Sequence, residues 1–385
     1  MKSNFLKLGL VATILLASCG SDDTADIVVN NNSGGGEIVD GNLSGIFSED
    51  LTLDAATEYL LNGALIMDAG STLTIPAGTT IKAVKTGVGA GTYIAISQGA
   101  SIVANGTASD PIVLTSNESS PQAGDWGGLI ILGNAPINSV SGDATSTSEI
   151  ANLPYGGTDS SDNSGSIRYL RIEYSGGSAD GSSENNGLSL YGVGSGTTIE
   201  YVQAYEGKDD GIEFFGGTVN ASYISVVGAQ DDSIDWTEGY TGTITNAYVK
   251  HGAEHDKAIE ADGFNTDIGL IGTFYSSPVV TNLSIYGLGT AAEPDSEAIR
   301  LRVGTEGEFQ NVYIQGYGEG FDLDDDQTGV SVTSGNLSVT DVTFADVTTK
   351  LKNDTNAVFA EADFIAGDGN GTETAYATWG AGWTK

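Results

Sequence analysis

The sequence predicts an all-β fold, a single-stranded right-handed parallel β-helix, and three observations predict it. Short runs of about four to seven β-branched and apolar residues, bounded by Gly, Asn, Asp and Thr, fill the chain from Glu37 onward without a long helical period. The runs recur about 22 to 36 residues apart, which suits three short strands per coil with loops inserted at one corner. Two separate columns of aligned residues stay in step along the repeat.

Residues 1–18 read as a secretory signal peptide. Lys2 and Lys7 precede the apolar run Leu8–Ala17, and the small residues Ala17 and Ser18 stand before Cys19. The run is too short to span a bilayer. Leu16-Ala17-Ser18-Cys19 resembles the bacterial lipobox, and Gly20-Ser21-Asp22-Asp23 resembles the acidic surface-export tag of Bacteroidetes lipoproteins. That resemblance implies that Cys19 is lipidated and holds the protein at the outer membrane, facing the medium. Cys19 is the single cysteine, so it has no partner within the chain for a disulfide. Residues 19–36 end in Asn30-Asn31-Asn32-Ser33-Gly34-Gly35-Gly36 and read as a flexible tether. The β-helix domain is expected over 37–385.

One column of the repeat begins at Ile167, Ile199, Ala221, Ile244, Val280, Phe309 and Val339. The second reads Asn186-Gly187-Leu188-Ser189, Asp210-Gly211-Ile212-Glu213, Asp232-Ser233-Ile234-Asp235, Lys257-Ala258-Ile259-Glu260, Glu297-Ala298-Ile299-Arg300 and Glu319-Gly320-Phe321-Asp322. The period of two along a strand sends Leu188, Ile212, Ile234, Ile259, Ile299 and Phe321 inward and their flanking polar residues outward. Asn246, Asn282, Asn311 and Asp341 share one position between two apolar ones. Asn tolerates the left-handed conformation of a sharp corner, and stacked amides can bond from rung to rung, so this column is expected to be a structural ladder.

Leu73-Thr74-Ile75-Pro76-Ala77-Gly78-Thr79-Thr80-Ile81 and Asp110-Pro111-Ile112-Val113-Leu114 resemble the opening coils of bacterial right-handed β-helix surface proteins. Gly124-Asp125-Trp126-Gly127-Gly128 and the final Trp379-Gly380-Ala381-Gly382-Trp383 resemble a functionally uncharacterised family of Bacteroidetes surface lipoproteins. The resemblance implies a pectate-lyase-like solenoid and no particular chemistry.

Asp and Glu total 51 against 14 Lys and Arg, a formal charge of -37. A chain so acidic repels nucleic acids and anionic lipid headgroups and attracts cations. Glu213, Asp235 and Glu260 are expected on successive rungs about 4.8 Å apart. Carboxylates so placed repel one another, so something must neutralise them. The simpler reading is a solvated ladder, Glu260–Arg300–Asp322, with loosely bound cations around the other acids. The sharper reading is calcium, held by Glu213, Asp235 and Glu260 with Asp209, Asp210, Asp231 and Asp232 at the preceding corner. Asp322-Leu323-Asp324-Asp325-Asp326 is a second acidic cluster without the pattern of an EF-hand loop.

Gln230-Asp231-Asp232 resembles the Gln-Asp-Asp element of polygalacturonases, which implies Asp231 and Asp232 as acid and base if the protein is a glycoside hydrolase or polysaccharide lyase. The rest of that pattern is missing, and the Asp-Asp pair recurs at Asp209-Asp210. His251, Glu254, His255 and Asp256 could bind zinc or supply a base, but a surface turn accounts for them more simply. Trp236, beside Asp235, is expected to stack on a sugar ring, whereas Trp126, Trp379 and Trp383 are expected to cap the ends of the helix.

The function expected from these residues is a surface-exposed outer-membrane lipoprotein, non-enzymatic, binding a ligand or partner. A TonB-dependent receptor or a surface glycan is the expected partner, with a carbohydrate-active enzyme as the alternative. Replacing Cys19 tests the anchor. Cys19→Ala should abolish incorporation of labelled palmitate and shift the protein out of the membrane fraction, and unchanged labelling would rule out attachment at that residue.

Overall fold

The computed structural model describes Ile38 and residues 41–86, 91–178 and 185–385. The expected signal peptide (1–18), the lipidation site Cys19 and the tether (19–36) lie outside the described residues. Strands pair with the strand one coil further on, and 22 of them join through parallel ladders into one continuous sheet. The fold is a parallel β-helix.

Each coil has three faces. The first stacks the short strands Leu188–Tyr191, Ile212–Phe215, Ile234–Thr237 and Ile259–Asp262, followed by Glu297–Arg302. The second and third faces are the two halves of longer strands: Gly165–Glu173, Thr198–Tyr205, Asn220–Val227, Thr243–Lys250 and Val279–Tyr286. Gly307–Leu323 passes through all three faces, pairing first with Val279–Tyr286 and then with Glu297–Arg302. The expected register holds throughout the repeat. Ile167 sits opposite Ile199, Ala221 opposite Ile244, Val280 opposite Phe309, and Phe309 opposite Val339.

Alternation along the strands fills the interior. Leu188, Ile212, Ile234, Ile259, Ile299 and Phe321 are at most 1% exposed and stack into one continuous hydrophobic column. Burying each such side chain favours folding by roughly 1.5–3 kcal/mol.

The bend between the second and third faces needs one residue with positive φ per coil. Asn246, Asn282, Asn311 and Asp341 take it at φ 58, 59, 56 and 59. The Asn282 side-chain amide donates to Asn246 Oδ1 at 3.2 Å, and that of Asn311 donates to Asn282 Oδ1 at 2.9 Å, so the ladder bonds from rung to rung. Earlier coils put Tyr169, Tyr201 and Tyr223 at the same corner, with φ 49, 58 and 57. Tyrosine has no local hydrogen bond to offset a left-handed backbone, which costs about 1–2 kcal/mol. Stacking opposes that cost. Tyr201 lies between Tyr169 and Tyr223, each ring centroid 4.3 Å away and nearly parallel.

The C-terminal segment corrects one expectation. Trp379 and Trp383 do not cap an end; they lie along the side of the helix. After the last coil the chain turns back and runs over the third face from residue 370 to 385. Asn370 bonds to Asp341, the Thr372 amide to Asn311 Oδ1, the Thr374 amide to Ser284 Oγ, and the Tyr376 ring stacks on Tyr248 at 3.7 Å. Trp379 then meets Tyr223 edge-on, and Trp383 meets Tyr169 and Tyr201 edge-on. Lys385 finishes the strap, donating from its amide to Gln203 and from its ammonium to Glu173. Trp126 is not an end cap either. It is buried in the core and its Nε1 donates to the Glu173 carbonyl at 2.8 Å. The segment between Gly133 and Ser164 leaves the helix and covers the outer side of the early first-face strands. Its Ile137, Ile150 and Tyr155 pack on Tyr191 and Phe215, making a second apolar cluster.

Trp383 is fully buried under the strap although it lies outside the solenoid. Trp383→Ala should therefore cost about 3–5 kcal/mol in urea unfolding, whereas replacing the exposed Val358 by Ser should change stability by less than about 0.5 kcal/mol. A small effect at Trp383 would show that the strap adds little to the fold.

Candidate functional site

The first face carries its acids in the expected places. Glu213 stands opposite Asp235 in the ladder, and Asp235 opposite Glu260. Asp210 and Asp232 lie two residues before the inward-facing Ile212 and Ile234, at the corner that opens this face, and Asp209 and Asp231 precede them. All seven carboxylates line one open cleft of about 440 Å3.

The cleft has further walls. Asn186 lines it from the preceding coil, and Glu149 enters from the covering segment. Asp256, Lys257, Arg300 and Arg302 line the remainder. Asn186 occupies the column of Asp210 and Asp232, so the alignment of repeats was enough to find it. Glu149 has no repeat position and could not have been found that way. A buried carboxylate anchors the segment that carries it. Glu238 Oε2 accepts from Ser139 Oγ at 2.7 Å and from the Tyr155 hydroxyl at 2.8 Å, while its Oε1 accepts from Asn265 at 3.2 Å.

Within the cleft, Asp210, Glu213 and Asp235 bring one oxygen each within 4.8 Å of one another, and so do Asp232, Asp235 and Glu260. Asp235 belongs to both groups, and its Oδ1 is buried without a hydrogen-bond partner. The others are partly satisfied. Asn186 donates to Glu213 at 2.5 Å, the Asp232 amide to Asp210 at 2.9 Å, and the Lys257 amide to Asp232 at 2.6 Å.

Burial pushes the carboxyl groups of Asp210, Glu213, Asp232 and Asp235 well above the ordinary range. Neighbouring negative charge adds to this, from Asp235 on Asp210 and Glu213, from Glu260 on Asp232, and from Asp232 on Asp235. Cationic groups gather at the Glu260 end and are already engaged there. Arg302 grips Asp262 with Nε at 2.5 Å and also pairs with Glu260, and Lys257 holds Asp256 at 2.5 Å.

The expected Glu260–Arg300–Asp322 charge ladder is correct in register and wrong in partners. Arg300 turns to Asp324 at 2.5 Å, Glu260 pairs with Arg302, and Asp322 pairs with Lys352 at 3.2 Å. The second acidic cluster is used locally as well, since Asp325 caps the helix Asp326–Thr333 by accepting from the Thr328 amide.

Two other expectations are overturned. Trp236 is fully buried, packs near Phe309 in the core and donates to Thr305 Oγ1 at 3.2 Å, so its ring is not available to a sugar. The alternation that turns Asp235 outward turns Trp236, two residues after Ile234, inward. The histidine loop is not a plain surface turn. His251 is buried against the Tyr317 hydroxyl, and His255 has a partner on each ring nitrogen.

The raised carboxyl groups fix the sign of a pH effect. The folded state holds protons on them that the unfolded chain releases near the ordinary carboxylate range, so their protonation stabilises the fold in mild acid and this contribution is lost as pH rises toward neutrality. In a chelator, the melting temperature should fall as pH rises from about 5 to about 8. An Asp232→Asn, Asp235→Asn double variant should flatten that slope, and an unaltered slope would mean that these groups do not carry it.

Residues 45–384 match a family model described as a pectate-lyase-like β-helix domain. No curated protein and no solved structure matches the chain. Stacked parallel coils and a match over nearly the whole described chain lead to one assignment: the chain belongs to the family of pectate-lyase-like β-helix domains.

Proposed function

We propose that this β-helix is a non-enzymatic binding module, anchored at the outer-membrane surface through Cys19, whose acidic cleft holds calcium and presents it to a ligand or partner. The observation that carries the reading is Asp235, shared by two groups of carboxylates, with a buried oxygen that no protein donor satisfies. A hard cation with oxygen ligands answers both the repulsion and the unmet oxygen. Asp210, Glu213, Asp232, Asp235 and Glu260 would hold it, with Asp209 and Asp231 adding negative charge at the corner. Among the described residues the lining is carboxylate, amide and cationic side chains, with no aromatic ring on which a sugar could stack, which favours an ion over an organic ligand as the direct occupant. A surface glycan or a TonB-dependent receptor would then meet the bound cation.

Millimolar calcium should raise the melting temperature at neutral pH by several degrees through mass action, well beyond sodium at equal ionic strength, and Asp235→Asn should remove most of the gain. Equal shifts with both salts would leave the acids merely solvated. For the partner, mass spectrometry of material that co-purifies with the full, membrane-derived protein should find a stoichiometric receptor. A protein recovered alone would count against that partner.

A second reading, a carbohydrate-active enzyme, is favoured by one observation. Asp232 is pushed toward its protonated form by burial and by Glu260, the condition a general acid needs at neutral pH. Glycan cleavage that disappears in an Asp231→Asn, Asp232→Asn variant would establish the enzyme and displace the binding-only reading.

A further inference from the structure

A second pocket, of about 350 Å3, opens beside the acidic cleft, with His255, Glu293, Ser296 and Glu297 among its walls. On the coil after Glu297 stand Glu319, opposite it in the ladder, and Asp322. We propose that Glu297, Glu319 and Asp322 form a second site for a hard divalent cation of the calcium class, separate from the acidic cleft and filled from this pocket.

The repeat explains why these three side chains meet. Glu297 and Glu319 fall in the corner column that holds Asp210 and Asp232, and Asp322 falls in the outward column of Glu213 and Asp235. One oxygen from each comes within 4.8 Å of the other two. A cation with oxygen ligands at about 2.3–2.6 Å can bridge that span. Basic residues interrupt both columns between this group and the cleft. Lys257 stands between Asp232 and Glu297, and Arg300 between Glu260 and Asp322. The two groups of acids therefore share no ligand.

Buried oxygens without a donor are what call for an occupant. Asp322 is 1% exposed, yet its Oδ1 receives no hydrogen bond from any described residue. Glu297 Oε2 is buried in the same condition. Burying an acceptor with no partner is costly, and more so when it is charged. Burial above all, with added repulsion from Asp324 and Glu297, pushes the Asp322 carboxyl up to about 6 although Lys352 opposes the shift. A cation between Glu297 and Asp322 answers the repulsion and both unmet oxygens.

Lys352 already stands at this group and does not complete it. Its Nζ lies 3.2 Å from Asp322 Oδ2, 3.3 Å from Glu319 Oε2 and 3.2 Å from Asp354. A charge-assisted bond closes to about 2.7–2.9 Å, so this ammonium is divided among three acids and grips none of them. Arg300, opposite Asp322 in the ladder, is turned to Asp324 at 2.5 Å. Negative charge is left over on the Glu297 side, which is the side that opens to the pocket.

The second site does not rest on the calcium reading of the cleft, and one set of titrations separates the two. Calcium chloride is titrated calorimetrically into the full chain after a chelator has been applied and dialysed away. An Asp235→Asn variant, which lacks the ligand shared within the cleft, should still bind a single calcium ion. Adding Glu297→Gln, which keeps the shape and removes a charge, should weaken that binding about tenfold or more. Adding Lys352→Gln instead should tighten it about tenfold, because the ammonium competes for Asp322 and Glu319. A gain of that kind cannot come from a misfolded variant. Loss of all calcium binding in Asp235→Asn would overturn the second site, and so would binding that both further substitutions leave unchanged. Wild-type binding that survives Asp235→Asn undiminished and disappears in Glu297→Gln would uphold this site and remove the cleft as a calcium site.

Discussion

Hydrogen bonding from each coil to the next, in register and in parallel, is the constraint on which the rest of this molecule depends. Its rung spacing of about 4.8 Å leaves no freedom to stagger one coil against another. Any residue type repeated at one position is therefore stacked on its counterparts. Inside, the rule produces the unbroken column from Leu188 to Phe321. At the corner it produces an amide ladder where the repeated residue is Asn and a ring stack where it is Tyr. On the first face the same rule sets carboxylate on carboxylate.

These stacks differ in what they cost. Apolar and amide columns gain from proximity, since each member satisfies or desolvates the next. An acid column loses, and burial deepens the loss because a low dielectric strengthens the repulsion. The protein relieves the Glu260 end with Arg302 and Lys257 and leaves the Asp210–Glu213–Asp235 end without a cationic side chain of its own among the contacts described. A local conflict of this kind, inside a fold that is otherwise consistent with itself, is where function is expected.

Segments that leave the solenoid turn a uniform surface into a particular place. The stretch between Gly133 and Ser164 shields the aromatic outer positions Tyr191 and Phe215, and buried Glu238 ties it down. Without that cover the first face would present exposed aromatic rings beside its acids. The C-terminal strap does the corresponding work on the third face, crossing from the Asp341 corner back to Tyr169 and burying Gln203, Ser225 and Ser284 beneath it. Between them, the cover and the strap leave the acidic cleft and the neighbouring histidine pocket open on the first-face side.

The sequence by itself determined the β-helix, its register and its rows of acids. Repetition and alternation are local properties, and stacking converts them directly into columns. Ile167 opposite Ile199, Asn282 on Asn246 and Asp235 beside Glu213 could all be read in advance for that reason. Trp236 obeys the same alternation and points inward, so its acidic neighbour in sequence, Asp235, is not its neighbour in space. Tertiary structure alone decided the rest: that Glu149 reaches the cleft, that Arg300 chooses Asp324 over Glu260, that Trp383 lies on the Tyr stack, and that His255 meets Glu293. Those contacts join a coil to a loop or a strap outside the repeat. No period links such residues along the chain, and only the path of the folded backbone brings them together.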